Sequence, residues 1–575
     1  MLELRRQTTP MTRYRISTRW AAGIFLTACL PPVAQPQIET GNSTVLSLHQ
    51  QRALAQLKVG HEQDALTEFR AAVAENPGDA VSHDYIGVIL GESGKVAEAL
   101  AEFEQAARLE PAFSDPHFHL GVAYERSGRT SQAVTEYSEA LRLNPGLLEA
   151  RYGLSAICAK LGDLDGAIRL LWEVVKGAPE FGEAHYNLGL NLWNKYKSSM
   201  SLRQKTDLDQ AVEELKAAQL LAPQEPRILF ALGQIAADRG DLALAVENLE
   251  RAVGLVPTNA EYHYTLGLAL RLKGDMDLAA AQFRETLRLD PKHALAHRSL
   301  GLVLREKGDF QSAANELRLA VAELPDDPEG HQLLGTVLLK MNDLPDAVES
   351  FQKALHLAPG LADAHATLAQ ALQRTGRKEE AKEELAELQR INAAKANDGR
   401  AMILVETAQG HIKKDDVTTA IQELQEAVSL SPDFAEAHYQ LGLALSKSSG
   451  GSTNAEAAFQ RVLQLNPGDP AAYLQLGLLL EARGDTALAS SLFAKAEQLA
   501  PGLTEAHREL GQMAKQSKDW STAVREFEAV LAWNSEDAEA HFDLAEALRA
   551  SGQAEEAARE LQIARRLNPA LGSHR

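Results

Sequence analysis

Cysteine is almost missing: Cys29 and Cys158 are the only two in 575 residues. Two thiols build neither a disulfide framework nor a four-thiolate zinc site. Positive charge is in deficit. The formal net charge is −21, so the chain lacks the basic footprint that phosphate neutralisation on nucleic acid requires. No apolar run approaches the roughly 20 residues of a membrane-spanning helix. Catalytic signatures are absent: there is no His-Glu-x-x-His, Cys-x-x-Cys or Gly-x-Ser-x-Gly. Gly91-Glu92-Ser93-Gly94-Lys95 looks like a phosphate loop but has the wrong spacing and follows a helical pattern, so it reads as an inter-helix turn. Aromatic residues are only 5%, which makes their placement informative. What is present is 45% hydrophobic and 24% charged residues, enough for ample core. Length alone, at roughly 150 residues per domain, implies about four domains. Internal order replaces that estimate.

Residues 1–37 read as an address. Arg13, Arg15 and Arg19 precede an apolar run from Trp20 to Leu30, followed by Pro31-Pro32. A basic stretch before a short apolar one is the pattern of a secretory signal. Two cuts fit. Leu26-Thr27-Ala28-Cys29 resembles a bacterial lipobox, which would make Cys29 a lipidated, membrane-tethered N-terminus. Pro32-Val33-Ala34-Gln35 would instead release a soluble protein into the periplasm. Removing residues 1–28 takes away five Arg and one Glu, leaving a charge of −25.

After the address the chain is periodic. Pro77, Pro111, Pro145 and Pro179 are evenly spaced, and Pro223, Pro257, Pro291, Pro325 and Pro359 repeat the same step. A constant step of about 34 residues is the mark of a solenoid. The same grammar surrounds each proline. Leu120, Gly121 and Tyr124 share one face of a first helix, and Gly128 breaks the chain. Ala133, Tyr137 and Ala140 share a face of a second helix, which Pro145 stops. Small Gly121 and Ala133 permit close approach of the two helices.

This grammar resembles the tetratricopeptide repeat, whose pattern is Trp-x2-Leu-Gly-x2-Tyr, then Ala-x3-Phe, then Pro. The resemblance covers residues 44 to 569 in fifteen repeats and implies an all-α, right-handed superhelical solenoid. Three departures stand out. Ten extra residues fall near 195–206 in repeat five, carrying Lys195, Lys197, Arg203 and Lys205; they read as a solvated turn or a basic docking knob. Ala393 and Ser535 replace the closing proline. Residues 394–400 follow repeat ten, where Lys382 and Gln389 occupy slots that are apolar elsewhere. The expected organisation is therefore one array over 44–393, a linker at 394–400, a second array over 401–569 and a tail at 570–575. Ser490 and Glu497 mark a second weak joint in repeat thirteen. Arg565 helps make the last repeat a polar cap.

Eleven of the 17 histidines, from His49 to His541, occupy one slot, four residues before the small residue of the first helix. Stacked helices lie about 8–10 Å apart, whereas zinc needs nitrogens at about 2 Å. The family resemblance puts a planar ring in this slot, so these read as packing rings, with no metal and no cofactor implied. Cys158 reads as a small buried hydrophobe.

In the family the first helices line a concave groove that takes peptide or protein partners. Here the slot after the histidine carries Phe118, Tyr152, Tyr186, Phe230 and Tyr264, with Val122, Leu190 and Leu268 one turn on and Trp193 beside them. Two readings stay open: a run of apolar anchors for a bound peptide, or consensus rings that cover the neighbouring repeat. Acids (Asp115, Glu149, Glu183 and later copies) start the first helices, and bases (Arg126, Lys160, Arg271 and later copies) end them. Helix dipoles explain this at about 0.3–1 kcal/mol each, and the stripes would also orient a peptide. The glycosyltransferase with similar repeats has catalytic lobes that find no room here, and the family's chaperone clamp is missing. The expected protein is a non-enzymatic interaction scaffold of the bacterial cell envelope. The alternatives are a lipid-anchored part of secretion, pilus or exopolysaccharide machinery, or the regulatory arm of a separately encoded transferase.

Overall fold

The computed structural model describes residues 46–198, 205–448 and 451–571. Among them are 29 α-helices and no strand, arranged as successive helix pairs. The expectation of an all-α solenoid is met. The signal segment, Cys29 and Arg203 lie outside the described residues.

Turn chemistry fixes each pair. The first helix ends at a residue in the left-handed region, supplied by glycine in most repeats, such as Gly240 at φ 80°. Asn342, Asp415 and Lys518 serve there in three others. In several repeats an aspartate follows and caps the second helix: Asp241, Asp309 and Asp519 each accept from the backbone N–H three residues on, at 3.1–3.2 Å. The second helix stops before the proline, as Thr130–Leu143 does before Pro145.

The core follows the same period. Where the second helix carries a large buried ring, that ring sits against the small residue of its own first helix. Phe103, Tyr137, Phe283, Phe351, Phe459 and Phe527 are all less than 2% exposed. A Cβ on the facing Gly87, Gly121, Gly267, Gly335, Gly442 or Gly511 would fall 2.5–2.8 Å from those rings. The small residue thus makes room for a ring, beyond allowing the axes to approach.

Repeat five absorbs its insertion by lengthening both helices, to Gly182–Ser198 and Lys205–Leu221. Lys195 and Lys197 stand on the last turn of the first; Lys195 pairs with Asp165 at 2.6 Å, and the Lys197 ammonium lies 3.7 Å from the centre of the Trp193 ring.

The repeats gather into two compact bodies. The sequence places a boundary near residue 393; the bodies divide at Leu221 and Leu479. One holds residues 222–479. Within it, residues 394–400 are not a loop. They lie inside one helix, Lys378–Lys413, that fuses the second helix of repeat ten to the first of repeat eleven. Ala393 explains the fusion: no proline stops the helix, and Ala394, Lys395 and Ala396 favour its continuation. The start of this helix packs on Ala362–Arg374, and its end on Val417–Leu430 and Ala435–Ser446. Between them, residues 392–400 are exposed apart from half-buried Asn397. Lys382 is exposed and pairs with Glu379 at 2.9 Å. A grouping of ten repeats and five predicts that limited proteolysis cuts first within 394–400 or in the insertion of repeat five. Equal cutting across all repeats would refute that grouping.

The other body holds residues up to 221 together with 480–575. Repeat arrays usually touch only their neighbours. Here the second helix of repeat fourteen, Trp520–Trp533, packs on the second helices of repeats three and four, Thr130–Leu143 and Leu164–Gly177. Trp533, fully buried, joins the apolar cluster of repeats one to four. Gly502 N–H donates to Asp163 at 3.0 Å, and Arg169 donates to the Gly502 carbonyl at 2.6 Å. A Cβ on Gly502 would stand 2.6 Å from the Asp163 carboxylate and 3.0 Å from the Cα of Gly166, so this approach requires glycine.

Candidate binding groove

The slot after the histidine has a structural task. Its side chain reaches a residue at the entry to the next first helix. Tyr152 meets Phe181 with ring centroids 5.0 Å apart, and Tyr264 meets His293 at 4.8 Å. Where the slot is polar, so is the contact. Arg298 donates to both Asp327 oxygens at 3.0 Å, Arg508 to Asp537 at 2.7 Å, and Gln50 to both Asp79 oxygens at 2.9 and 3.0 Å. Ring on ring and cation on acid are two versions of one inter-repeat clasp. Phe230 makes a related contact, stacking on Tyr262 at 4.7 Å.

This sorts the groove residues. Tyr264, Trp193 and Val122 are buried, at 9%, 8% and 4% exposure, and have little surface left for a partner. Phe118, Tyr152, Tyr186 and Leu190 are half-buried in one body; Phe230 and Leu268 are half-buried in the other. Tyr152 also accepts from the Asn187 amide at 2.6 Å, which fixes its hydroxyl beside Tyr186.

The acidic stripe is uneven. Asp115, Glu149 and Glu183 are half-buried, whereas Glu261, Glu329, Glu505 and Glu539 are exposed. Burial pushes the Asp115 and Glu149 carboxyls above the usual range, and neighbouring acids (Asp84 for the first, Asp115 for the second) push them further. His119 bonds Asp84 at 2.8 Å in the same stretch, and its ring, though buried, holds a proton above the ordinary histidine value because of that carboxylate. The basic stripe is partly spent within the fold: Lys515 pairs with Asp543 at 2.6 Å and Glu546 at 2.9 Å, and Arg374 donates to the Leu339 carbonyl and to Asn342. On the first helices of repeats three to five, half-buried rings and half-buried acids thus stand on the same elements.

The slot histidines have partners that the sequence reading missed. In seven repeats of ordinary length, the ring Nδ1 faces a Glu at a fixed separation, on the second helix of the same repeat. His83–Glu102 and His297–Glu316 are at 2.6 Å, and His117–Glu136 at 2.7 Å. In repeat five the insertion stretches the separation, in His185–Glu214 at 2.6 Å. The signal was present as a recurring acid at that spacing. Among the described residues, Glu497, His507 and Glu526 form the one group whose donor atoms all lie within 4.8 Å, as a metal would need. Both His507 nitrogens are already engaged, Nδ1 with Glu526 at 2.9 Å and Nε2 with the Pro501 carbonyl at 3.0 Å, and Arg525 holds the other Glu526 oxygen at 2.7 Å. The group is one more copy of the repeated pair. Cys158 is buried, and burial pushes its thiol well above the ordinary value, so it offers no reactive thiolate.

Residues 236–294, 264–328 and 448–504 match a tetratricopeptide repeat family, and residues 514–570 match a second. Residues 26–232 match the protein kinase G tetratricopeptide repeat, and residues 316–430 the tetratricopeptide domain of cytochrome c-type biogenesis protein H. The chain is a tetratricopeptide repeat protein. No curated protein matches it. Among solved structures, MamA from Desulfovibrio magneticus RS-1 is 26% identical, covering 29% of this chain and 94% of its own, at a TM-score of 0.28. YrrB, described as a TPR protein with an unusual peptide-binding site, is 22% identical over 36% of this chain and 97% of its own, at 0.30. The human IFIT1 dimer with m7Gppp-AAAA is 17% identical over 73% of this chain and 90% of its own, at 0.30. The matched families are interaction repeats. In this tetratricopeptide protein the groove slots divide between holding the array together and facing outward.

Proposed function

We propose that this protein is a non-enzymatic scaffold of the bacterial cell envelope. It binds extended protein segments along the first helices of repeats three to five. The observation that carries the reading is half-buried Phe118, Tyr152, Tyr186 and Leu190 on the same first helices as Asp115, Glu149 and Glu183. Rings and a leucine take apolar side chains, and the acids orient a segment that carries basic residues. The Arg13–Leu30 pattern supports export, and Cys29 supports tethering to the membrane.

Affinity capture from envelope extracts tests this. Tyr186→Ala with Leu190→Ala should lower partner recovery at least tenfold while far-ultraviolet circular dichroism and the urea midpoint stay near wild type. Unchanged recovery places the site elsewhere. Mass spectrometry of the same preparation reads the mature N-terminus: lipidated Cys29 or Gln35 agrees with export, and an intact Met1 or Met11 contradicts it.

A further inference from the structure

In five repeats a histidine ring has a carboxylate at one nitrogen and a backbone carbonyl at the other. Nδ1 faces a carboxylate in His185–Glu214, His297–Glu316, His365–Glu384, His507–Glu526 and His541–Glu560, at 2.5–2.9 Å. Nε2 faces the backbone carbonyl six residues earlier, of Pro179, Pro291, Pro359, Pro501 and Ser535, at 2.9–3.2 Å. The contact joins three parts of a repeat: its first helix, its second helix and the turn that enters it.

A carbonyl oxygen and an ionised carboxylate have no hydrogen to give, and a neutral imidazole donates from one nitrogen only. Both contacts are hydrogen bonds only if the pair holds one proton more than neutral histidine plus carboxylate. That proton sits on the ring or is shared with the carboxyl group; the count is the same. We infer that these locks are proton-dependent fasteners: closing them takes up protons, at His185 and His507 above all, and the array loosens as pH rises above neutrality.

Repeat seven is a built-in control. His263 keeps the Pro257 carbonyl at 3.0 Å, but its Nδ1 partner is Gln282 at 2.7 Å. An amide can turn its NH2 toward a neutral ring, so this lock closes without an extra proton. The site therefore accommodates the uncharged partner sterically.

The charges around the rings support the inference. His185 faces Glu214 on the second helix of repeat five, with Asp165, Arg169, Glu173 and Lys176 of repeat four lining the same recess. Its Glu214 bond raises the ring above the ordinary histidine value, against the opposing effect of burial. His507 faces Glu526 and Arg525 on Trp520–Trp533 and Glu497 on Thr486–Leu499. Burial opposes charge there, but the Glu526 bond and Glu497 outweigh it and the ring is also raised. Glu560, the partner of His541, in turn faces Glu528. A folded value raised above the unfolded value of about 6.5 stabilises fully below that pH. The stabilisation is lost as pH climbs through the raised folded value.

The test uses the full chain. Its urea midpoint should fall as pH rises from about 6.5 to about 9, the range above the ordinary histidine value. A variant carrying Glu214→Gln, Glu316→Gln, Glu384→Gln, Glu526→Gln and Glu560→Gln, patterned on the pair in repeat seven, should show a markedly flatter dependence. A flat or rising wild-type profile, or an equal slope in the variant, overturns the proposal. If the fivefold variant does not fold, histidine C2-hydrogen exchange on wild type decides. His185 and His507 exchanging with midpoints above about 6.5 supports the locks, and midpoints at or below it overturn them.

Discussion

Phe351→Ala is expected to cost about 3–5 kcal/mol, the range for emptying a fully buried aromatic site. Phe351 has no exposed surface and sits in the continuous core of repeats six to ten. Its ring fills the space left by Gly335, where a Cβ would lie 2.8 Å away. Collapse cannot fill that space, because the opposite wall is helix backbone. Stability in an array is a sum over repeats and their interfaces, so the loss falls mainly on repeat nine and its joints. Urea unfolding followed by circular dichroism should move to lower midpoint and broaden as the flanking repeats uncouple. Leu278→Ala is the control: Leu278 is 55% exposed, and such a change should stay within about 0.5 kcal/mol.

Trp533→Ala should have an effect of similar size, about 3–5 kcal/mol, but a different signature. Trp533 stands two residues before the closing position, where most repeats have leucine, and in its repeat Ser535 replaces the closing proline. Its side chain is wholly buried against the early repeats, and its indole N–H lacks an acceptor. The ring therefore contributes through apolar burial. The polar contacts around it, Arg142–Glu528 at 3.3 Å and the Gly502 pair, are too few to hold the contact without it. Burial and the surrounding acids push Glu528 up to about 7 despite Arg142. Lys176 and Glu536, whose charged atoms are 3.9 Å apart, mark the edge of this contact. Cysteines placed at those two positions should be joined by a bis-maleimide cross-linker, which spans the reach of the two long side chains, in the wild-type background. The cross-link should be lost in Trp533→Ala and kept in Trp533→Phe, which retains a ring and removes the unpartnered N–H. A cross-link that survives Trp533→Ala would show that the contact does not depend on this residue.

The repeat fold was legible because it is local. Each helix, turn and stop is written within a single repeat, and departures from the grammar had consequences. Ala393, a missing stop, became a fused helix, although residues 394–400 read as a linker. The helix formers there prevailed because nothing in that stretch had to turn. The insertion in repeat five looked like a loop, yet much of it extends existing helices. The clasp between repeats and the histidine lock within them were also in the sequence, as paired residue types at fixed separation. Reading them required knowing which helix faces meet. Tyr152 and Arg298 share a slot and a task but not a chemistry, so the rings alone gave an incomplete picture of the groove. The contact of Trp533 with repeats three and four was not legible. Repeats five to thirteen intervene between the partners, and no periodic pattern spans that distance.

The central claim is that partners enter along the first helices of repeats three to five. Photo-cross-linking amino acids placed singly at Tyr186 and Leu190, and at exposed Leu278 on a second helix, test it in the intact chain. The account predicts covalent partner adducts from Tyr186 and Leu190 and none from Leu278. Adducts from Leu278 alone, or equally from all three positions, would contradict it.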